Sequence, residues 1–351
     1  MRSSHRLLPL ALFLGCHGSP AHPEPVAGKP TLLVEQSGTH KRLQAVSVVD
    51  ENVAWASGAG GVYTRTIDGG FTWVAGIVPG ADSLEFRDVH AIDDKVAWLL
   101  SAGPGGQSRI YKTMDGGRRW LLQFTNPDSS AFYDCFAFWD TKRGIAVSDA
   151  VDGQILIIIT SNGGATWARV SPERIPPAVN GEGAFAASGT CVVTLGDRLA
   201  WIGTGAGERA RVFQTEDGGN NWSVVETPIM QGTSTTGIAS VSFRDRLNGI
   251  AAGGDVAGRD STGPNVVRTI DGGKSWSVAP SPSFPGPVYG IFQVPRAMII
   301  VAVGPRGAAY SLDDAQRWSV LDTLGYWSAG FASPKAGWLV GPAGRITKVT
   351  F

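Results

Sequence analysis

The segment TIDGGFTW (Thr66–Trp73) decides the fold, because five further versions of it follow along the chain. They are TMDGGRRW (113–120), TSNGGATW (160–167), TEDGGNNW (215–222), TIDGGKSW (269–276) and the degraded SLDDAQRW (311–318). Successive tryptophans are separated by 47, 47, 55, 54 and 42 residues. Periods of this length are typical of four-stranded blades repeated around an axis. The repeat therefore predicts an all-β propeller.

Three short β-rich runs precede each of these segments. In the first repeat they are Leu43–Val49, Val53–Ser57 and Val62–Thr66, separated by turn residues. The Asp-Gly-Gly turn then joins the third run to a fourth strand that begins at the tryptophan. We call the six turns, from Ser/Thr to Trp, the box hairpins. The pattern predicts four-stranded antiparallel blades.

The two ends of the repeat region predict how the ring closes. After Trp318 the chain supplies three more strand-like runs and stops, one strand short of a blade. A lone strand-like run, TLLVEQSG (31–38), precedes the first complete repeat. Together the two pieces make one blade, whose outer edge strand is N-terminal. We therefore expect residues 31–351 to form a single seven-bladed β-propeller, the last blade closed by the N-terminal strand.

The repeated Asp and Trp residues are interpreted as structural. The Asp caps its own turn by accepting backbone N–H bonds, and Gly takes the φ > 0 position. The Trp is expected to bury a large surface between neighbouring sheets. Asn162 can still cap, and Ala315, in a glycine place, is expected to cost stability. The structural residues are Asp68, Asp115, Asn162, Asp217, Asp271, Asp313, Trp73, Trp120, Trp167, Trp222, Trp276 and Trp318.

The N-terminus is typical of an export signal. Arg2 and Arg6 precede a short apolar core, LLPLALFLG (7–15), which Cys16 follows directly. Two interpretations stay open: a lipoprotein signal that ends before Cys16, which is then lipidated, or ordinary cleavage after Ala21. Residues 1–21 are thus predicted as a signal peptide and 22–30 as a flexible tether. We expect a periplasmic or extracellular protein, lipid-anchored to the envelope if Cys16 is retained.

Composition and charge narrow the function further. The 30 basic residues balance the 30 acidic ones, so a nucleic-acid partner is not expected, and a membrane is expected only through the lipid anchor. The segment after residue 30 holds two histidines, His40 and His90, and the chain has no dinucleotide-binding or Cys-x-x-Cys motif. No cofactor and no metal are predicted. Cys135 and Cys191 are either a disulfide or two buried thiols. We expect a monomer.

The box pattern gives the chain a family resemblance. Ser/Thr-x-Asp-x-Gly-x-x-Trp is the Asp-box, or BNR repeat, and the whole segment 31–351 resembles the photosystem II stability/assembly factor family and its non-photosynthetic bacterial relatives. Some of those relatives are loosely named oxidoreductase or BNR glycosyl hydrolase. The resemblance implies a seven-bladed scaffold and, in one branch, a role in assembling a membrane complex.

A second resemblance, to sialidases, rests on the same boxes and on Arg-Ile-Pro at 174–176. In sialidases, which have six blades, that tripeptide precedes the first box. In this chain it follows the third box, in a Pro-rich connection. Arg174 is therefore not expected to be the carboxylate-binding arginine of that family.

The loops on the face opposite the box hairpins carry the candidate site, because rigid scaffolds present function on such loops. Long or charged stretches there belong to blades 3, 4 and 5. Their candidate ligand- or partner-binding residues are Tyr133, Asp134, Asp149, Asp152, Arg174, Glu182, Arg209, Asp255 and Arg259.

We predict an exported, non-catalytic binding or scaffold propeller for an unknown protein or glycan. A sialidase-like glycoside hydrolase and an assembly factor for a membrane complex are the alternatives. If the chain were an enzyme, glycoside hydrolysis would be expected rather than oxidoreduction.

Overall fold

The computed structural model describes residues 29–351 as seven four-stranded antiparallel sheets. Three single-turn 3-10 segments, Gly105–Gln107, Pro172–Arg174 and Pro342–Gly344, lie in the connections. No helix in this part of the chain is long and apolar enough to cross a membrane. The predicted signal peptide, Cys16 and most of the tether lie outside the described residues.

The sheets confirm the predicted seven blades. Blade 1 consists of β2 Leu43–Val48, β3 Ala54–Gly58, β4 Val62–Thr66 and β5 Val74–Ile77. Blade 2 consists of β6 Phe86–Ala91, β7 Ala97–Ser101, β8 Arg109–Thr113 and β9 Leu121–Thr125. Blade 3 consists of β10 Tyr133–Phe138, β11 Gly144–Val151, β12 Gln154–Thr160 and β13 Ala168–Arg169. Blades 4 and 5 consist of β14 Val192–Leu195, β15 Leu199–Gly203, β16 Arg211–Thr215 and β17 Ser223–Glu226; β18 Thr236–Phe243, β19 Gly249–Asp255, β20 Val266–Thr269 and β21 Ser277–Val278. Blades 6 and 7 consist of β22 Gly290–Gln293, β23 Ile300–Gly304, β24 Gly307–Ser311 and β25 Ser319–Asp322; β26 Ser328–Ser333, β27 Ala336–Val340, β28 Arg345–Thr350 and β1 Thr31–Gln36.

The first strands of the blades form a closed inner ring. Each contacts the first strand of the next blade, through β2, β6, β10, β14, β18, β22 and β26 and back to β2. The second strand of a blade, such as β3 or β7, is buried, and the outer strand, such as β9, faces solvent. Burial therefore follows the radial position of each strand, as expected for apolar faces packed between neighbouring sheets.

The N-terminal strand closes the ring. β1 pairs antiparallel with β28, from Thr31 opposite Thr350 to Gln36 opposite Arg345. Within β1, Glu35 Oε2 accepts the indole N–H of Trp73 at 2.8 Å and that of Trp338 at 2.9 Å. Because Trp73 belongs to the first blade and Trp338 to the last, this carboxylate ties the two together.

The box hairpins share one hydrogen-bond pattern. In the fifth, Thr269 Oγ1 donates to Asp271 Oδ1 at 2.7 Å, and Ser275 Oγ donates to Asp271 Oδ2 at 2.6 Å. The bond from Ser275 contributes most to lowering the pKa of Asp271, to about 2. In the sixth, Asp314 and Ala315 take the glycine places with φ of 60° and 64°. This left-handed backbone is unfavourable for side-chain-bearing residues, so the turn is strained there.

The connection from blade 3 to blade 4 fills the axis. The strand β14 starts late, and the residues before it, Gly183–Thr190, lie across the inner ring as an axial plug. Gln44 Nε2 donates to the carbonyl of Ala186 at 3.1 Å, and Ser328 Oγ donates to the carbonyl of Ser188 at 2.9 Å. One residue from each of blades 1 to 7 in turn touches the plug: Gln44, Asp88, Asp149, Gly205, Ser240, Tyr289 and Ser328.

A disulfide holds the base of the plug. It joins Cys135 in β10 to Cys191, immediately before β14, across a Cα–Cα distance of 6.1 Å. Both cysteines are fully buried. The plug is therefore fixed at its C-terminal end to blade 3 as well as to the inner ring.

Candidate functional site

The candidate site lies on the face opposite the box hairpins, which we call the loop face. In blade 3 the strand β12 begins at the turn after Val151 and ends at the box hairpin that contains Asn162. The two turns therefore lie at opposite ends of one strand. The same strand order in the other blades puts their second-to-third-strand turns on the loop face.

A cavity of about 380 Å³ opens on the loop face between blades 3 and 4. It lies between the end of β11, the connection that leads into the plug, and the turn after β15. Its lining residues are Ser130, Asp149, Ala150, Gly153, Ala178, Val179, Asn180, Gly181, Glu182, Gly183 and Ala206. Two of the predicted site residues, Asp149 and Glu182, thus line one cavity.

Asp149 and Asp134 form a carboxyl pair in the wall of this cavity. Asp149 Oδ1 accepts the N–H of Ala184 at 3.0 Å. Asp134 is 2% exposed, and its Oδ2 has no donor among the described residues. The charge of Asp149 disfavours ionisation of Asp134. The two carboxyls therefore titrate as a pair.

Burial is the main influence on both carboxyls. It raises the pKa of Asp134 well above its usual range, the charge of Asp149 adds to this, and the nearby Arg87 offsets it only in part. Burial also raises the pKa of Asp149, to about 6, against the lowering effect of the Ala184 N–H and of Asp134. Asp134, the deeper of the two, is thus the harder to ionise, and Asp149, which lines the cavity, is the easier.

Both carboxylate oxygens of Glu182 accept hydrogen bonds from within the protein. Its Oε1 accepts Thr204 Oγ1 at 2.6 Å and Arg211 Nε at 2.9 Å. Its Oε2 accepts the N–H of Val179 at 3.0 Å and a further bond from Arg211 Nη2. The side chain is 0% exposed. Glu182 therefore shapes the cavity wall, and its carboxylate is already neutralised by Arg211.

The remaining predicted residues do not line this cavity. Tyr133 is buried and packs edge-on against Phe124 with ring centroids 5.4 Å apart, and burial raises its pKa to about 12. Asp152 is exposed in the turn between β11 and β12. Arg174 is also exposed, but its carbonyl accepts the N–H of Trp222 at 2.9 Å, so it lies beside the fourth box hairpin and not on the predicted loop face.

Two more of them make only local contacts. Arg209 Nε lies 3.8 Å from Glu226 Oε2, with both side chains largely exposed. Asp255 Oδ1 accepts the N–H of Ala257 at 3.1 Å and so caps its own turn. Neither residue reaches the cavity at Asp149.

Sequence analysis missed a second opening, an aromatic cleft of about 190 Å³ between blades 6 and 7. The rings of Tyr289 and Trp327 stack there at 4.7 Å, and Arg42 lies over Trp327 at 5.3 Å. Arg259, the last predicted residue, lies at its edge. The lining residues are Arg259, Tyr289, Pro305, Gly325, Tyr326, Trp327, Pro342 and Arg345. The detectable signal was an aromatic residue directly before β22 and before β26.

Buried Asp88 was also missed. Its Oδ2 accepts the N–H of Phe136 at 2.8 Å, and it abuts Gly189 of the plug. Burial raises its pKa well above the usual range. A charged residue inside the buried strand β6 was the available signal. Asp88 supports the plug and does not reach the loop-face surface.

The arrangement at Asp149 suits binding of a charged group. No cluster of three or more His, Cys, Asp or Glu side chains that could hold a metal ion occurs within residues 29–351. The two carboxyls of a retaining glycosidase stand about 5 Å apart around the scissile bond, and those of inverting enzymes stand farther apart. Of Asp134 and Asp149, only Asp149 lines the cavity, and Asp134 is buried.

Comparison with known proteins shows the fold. No family model matches the chain, and no curated protein matches it. A solved structure of YCF48 bound to a D1 peptide is 16% identical, with a TM-score of 0.62, over 94% of this chain and 100% of that one. YCF48 from Cyanidioschyzon merolae is 15% identical, with a TM-score of 0.63, over 91% and 98%. U3-55K is 12% identical, with a TM-score of 0.64, over 93% and 100%.

Proposed function

We propose that this protein is a binding propeller that holds a polypeptide segment of a partner on its loop face, at the cavity beside Asp149. The cavity carries the proposal. It is concave, it is walled by the buried Glu182–Arg211 pair and the axial plug, and it exposes a carboxylate that no cation of the described chain neutralises. Few polar groups in a largely preformed recess are typical of a recognition site.

The fold of the solved neighbours supports a polypeptide as the ligand class. YCF48, whose structure includes a D1 peptide, shares the ring over nearly the whole of both chains. Propellers place their ligand surfaces on loops that a rigid ring holds. The same neighbour favours a more specific form of the proposal, in which the protein helps to assemble a membrane complex.

The site of action is part of the proposal. The apolar core at 7–15 after Arg2 and Arg6 favours export. A disulfide between Cys135 and Cys191 fits an oxidising compartment outside the cytosol. We therefore place the binding function in the cell envelope or outside the cell.

Site-specific photocrosslinking on the full chain tests this function. A photoreactive amino acid at Asn180, on the cavity rim, is compared with one at Lys274, an exposed box-hairpin residue on the opposite face. The expected result is a defined polypeptide adduct from position 180 and none from position 274. An excess of the same protein without the photoreactive amino acid should suppress that adduct by competition. Adducts from Lys274 alone, or no polypeptide adduct from Asn180, would overturn the proposal.

A further inference from the structure

The cavity at Asp149 contains one uncompensated negative charge. Asp149 accepts a single backbone bond, from Ala184, and no Lys or Arg of residues 29–351 lies within ion-pair distance of it. Glu182, the other acid in the wall, has Arg211 as its counter-ion. An ionised carboxylate removed from bulk water and left unpaired is costly. A cation supplied from outside would remove that cost.

Asp134 does not neutralise this charge. It is 2% exposed, its Oδ2 receives no donor from the described residues, and burial opposes its ionisation. Arg87, whose charge acts on Asp134, is already bound to Glu85 at 2.7 Å. The carboxylate of Asp149 therefore lines the cavity without a counter-ion among the described residues.

Resting on the proposed function, we infer that the cavity binds the cationic end of a lysine or arginine side chain of the partner polypeptide, with the carboxylate of Asp149 as its counter-ion. The N–H of Ala184 bonds to Oδ1 of Asp149 and so helps to hold the accepting carboxylate in place. Charge-assisted bonds of this kind are shorter and stronger than neutral ones.

The size and lining of the cavity fit such a group. A volume of about 380 Å³ lies at the small end of known ligand pockets. Glycines form part of the wall, and a Cβ on Gly183 would lie 2.1 Å from Asp149 Oδ1. The absence of a side chain at Gly183 therefore leaves room beside the carboxylate. Ser130 and Asn180 supply the polar rim.

Binding should depend on pH through Asp149. The charged and titratable groups around it are Asp134, Arg87, the Glu182–Arg211 pair and the exposed Asp152. Because burial raises the pKa of Asp149 to about 6, its charge is present at pH 7.5 and mostly lost at pH 5. Affinity for a cation should therefore fall about tenfold over that range, in proportion to the ionised fraction.

The experiment uses two matched probes with the full chain at fixed ionic strength. Nα-acetyl-lysine N-methylamide carries the cation, and Nα-acetyl-norleucine N-methylamide has the same four-carbon side chain without the ammonium group. Binding is followed by NMR titration at pH 7.5 and pH 5. Asp149→Asn removes the charge and keeps an acceptor for Ala184, whereas Asp152→Asn, in the adjoining exposed turn, is the matched control.

The expected result is saturable binding of the lysine probe at pH 7.5, at least tenfold tighter than that of the norleucine probe. Asp149→Asn should abolish the difference, and Asp152→Asn should keep it. Equal binding of both probes, no binding of the lysine probe to the native protein, or unchanged binding by Asp149→Asn would overturn the inference. If the inference fails but a polypeptide adduct at Asn180 persists in the Asp149→Asn variant, the proposed polypeptide-binding function is still supported.

Discussion

The carboxylate of Glu182 and the guanidinium of Arg211 form a buried ion pair, with Arg211 Nε 2.9 Å from Glu182 Oε1. The two side chains are 0% and 9% exposed. They come from the connection into the axial plug and from β16, so the pair fastens the connection to blade 4. From sequence, Glu182 was a candidate ligand-binding residue on the loop face. The structure places its charge inside the wall instead.

Removing Glu182 should therefore destabilise the fold. Glu182→Ala leaves Arg211 buried without a counter-ion, which should cost about 3–5 kcal/mol of unfolding free energy. Glu182→Gln, which still accepts hydrogen bonds, should cost less. Urea denaturation at pH 7 measures both. The control is Glu226→Ala, which removes the exposed partner of Arg209 at 3.8 Å and should cost at most about 1 kcal/mol. Similar losses for Glu182→Ala and Glu226→Ala would contradict a buried, structural pair.

The acid pair should make stability depend on pH. Burial raises the pKa of Asp149 from 3.8 to about 6, and that of Asp134 well above its usual range. A carboxyl whose pKa is raised by folding stabilises the protein fully below its unfolded pKa, and that contribution is lost as the pH rises through its folded pKa. For Asp149 this contribution should be lost as the pH rises from about 4 through about 6.

The double variant Asp134→Asn/Asp149→Asn isolates this effect. Its amides do not titrate, so its unfolding free energy relative to the native protein should improve as the pH rises from 5 to 8. Guanidinium denaturation across that range provides the measurement. Burial lowers the pKa of His90 to about 4, which acts in the opposite direction, but equally in both proteins. A constant difference between the two proteins from pH 5 to 8 would show that the pair does not titrate as inferred.

The ring was predictable from sequence, whereas the plug was not. The Thr66–Trp73 segment and its five repeats mark one local turn in each of blades 1 to 6, and the leftover strands at the two ends predicted the closure through β1. Each of these patterns belongs to a single blade and can be recognised in the sequence without knowledge of the other blades. The axial plug has no period of its own. Its position depends on contacts with residues from all seven blades, which no local pattern encodes.

Only part of the candidate site could be predicted from sequence, because only some of its residues belong to one local segment. The loop face and the pair Asp134 and Asp149 were selected because both residues adjoin loops of blade 3. The partner of Glu182 could not be recognised, because Arg211 lies 29 residues farther along the chain in another blade. The aromatic cleft also joins distant segments, with Tyr289 ahead of blade 6 and Trp327 ahead of blade 7. Side chains that meet only after ring closure are invisible to a repeat search.

The disulfide should contribute strongly to stability. Cys135 and Cys191 are 56 residues apart in sequence, and closing a loop of that length in the unfolded chain corresponds to about 4 kcal/mol in the chain-entropy model. Cys135→Ala/Cys191→Ala should therefore lower the unfolding free energy by several kcal/mol. Because both cysteines are buried, reductant should act on the native protein only after unfolding. Rapid reduction under native conditions, or an unchanged denaturation midpoint in the double variant, would contradict this arrangement.

The last prediction concerns the closure of the ring at Glu35. Its Oε2 accepts two indole N–H groups, from Trp73 at 2.8 Å and Trp338 at 2.9 Å. Those rings meet edge-on with centroids 6.1 Å apart, between blades 1 and 7. Glu35→Ala leaves two largely buried donors unpaired, at about 1–3 kcal/mol each. It should therefore destabilise the protein by more than Glu35→Gln, whose amide oxygen still accepts.

The closing strand itself supplies the control for that prediction. Leu33 is 62% exposed on the same strand β1, so Leu33→Ala alters the strand without touching the indoles and should change stability by at most about 0.5 kcal/mol. Thermal and urea denaturation of the three variants, with tryptophan fluorescence as the probe, separates the effects. If the carboxylate ties the first blade to the last, Glu35→Ala should also increase proteolysis within β1. Equal stability of Glu35→Ala and Leu33→Ala would mean that strand pairing between β1 and β28 closes the ring without the carboxylate.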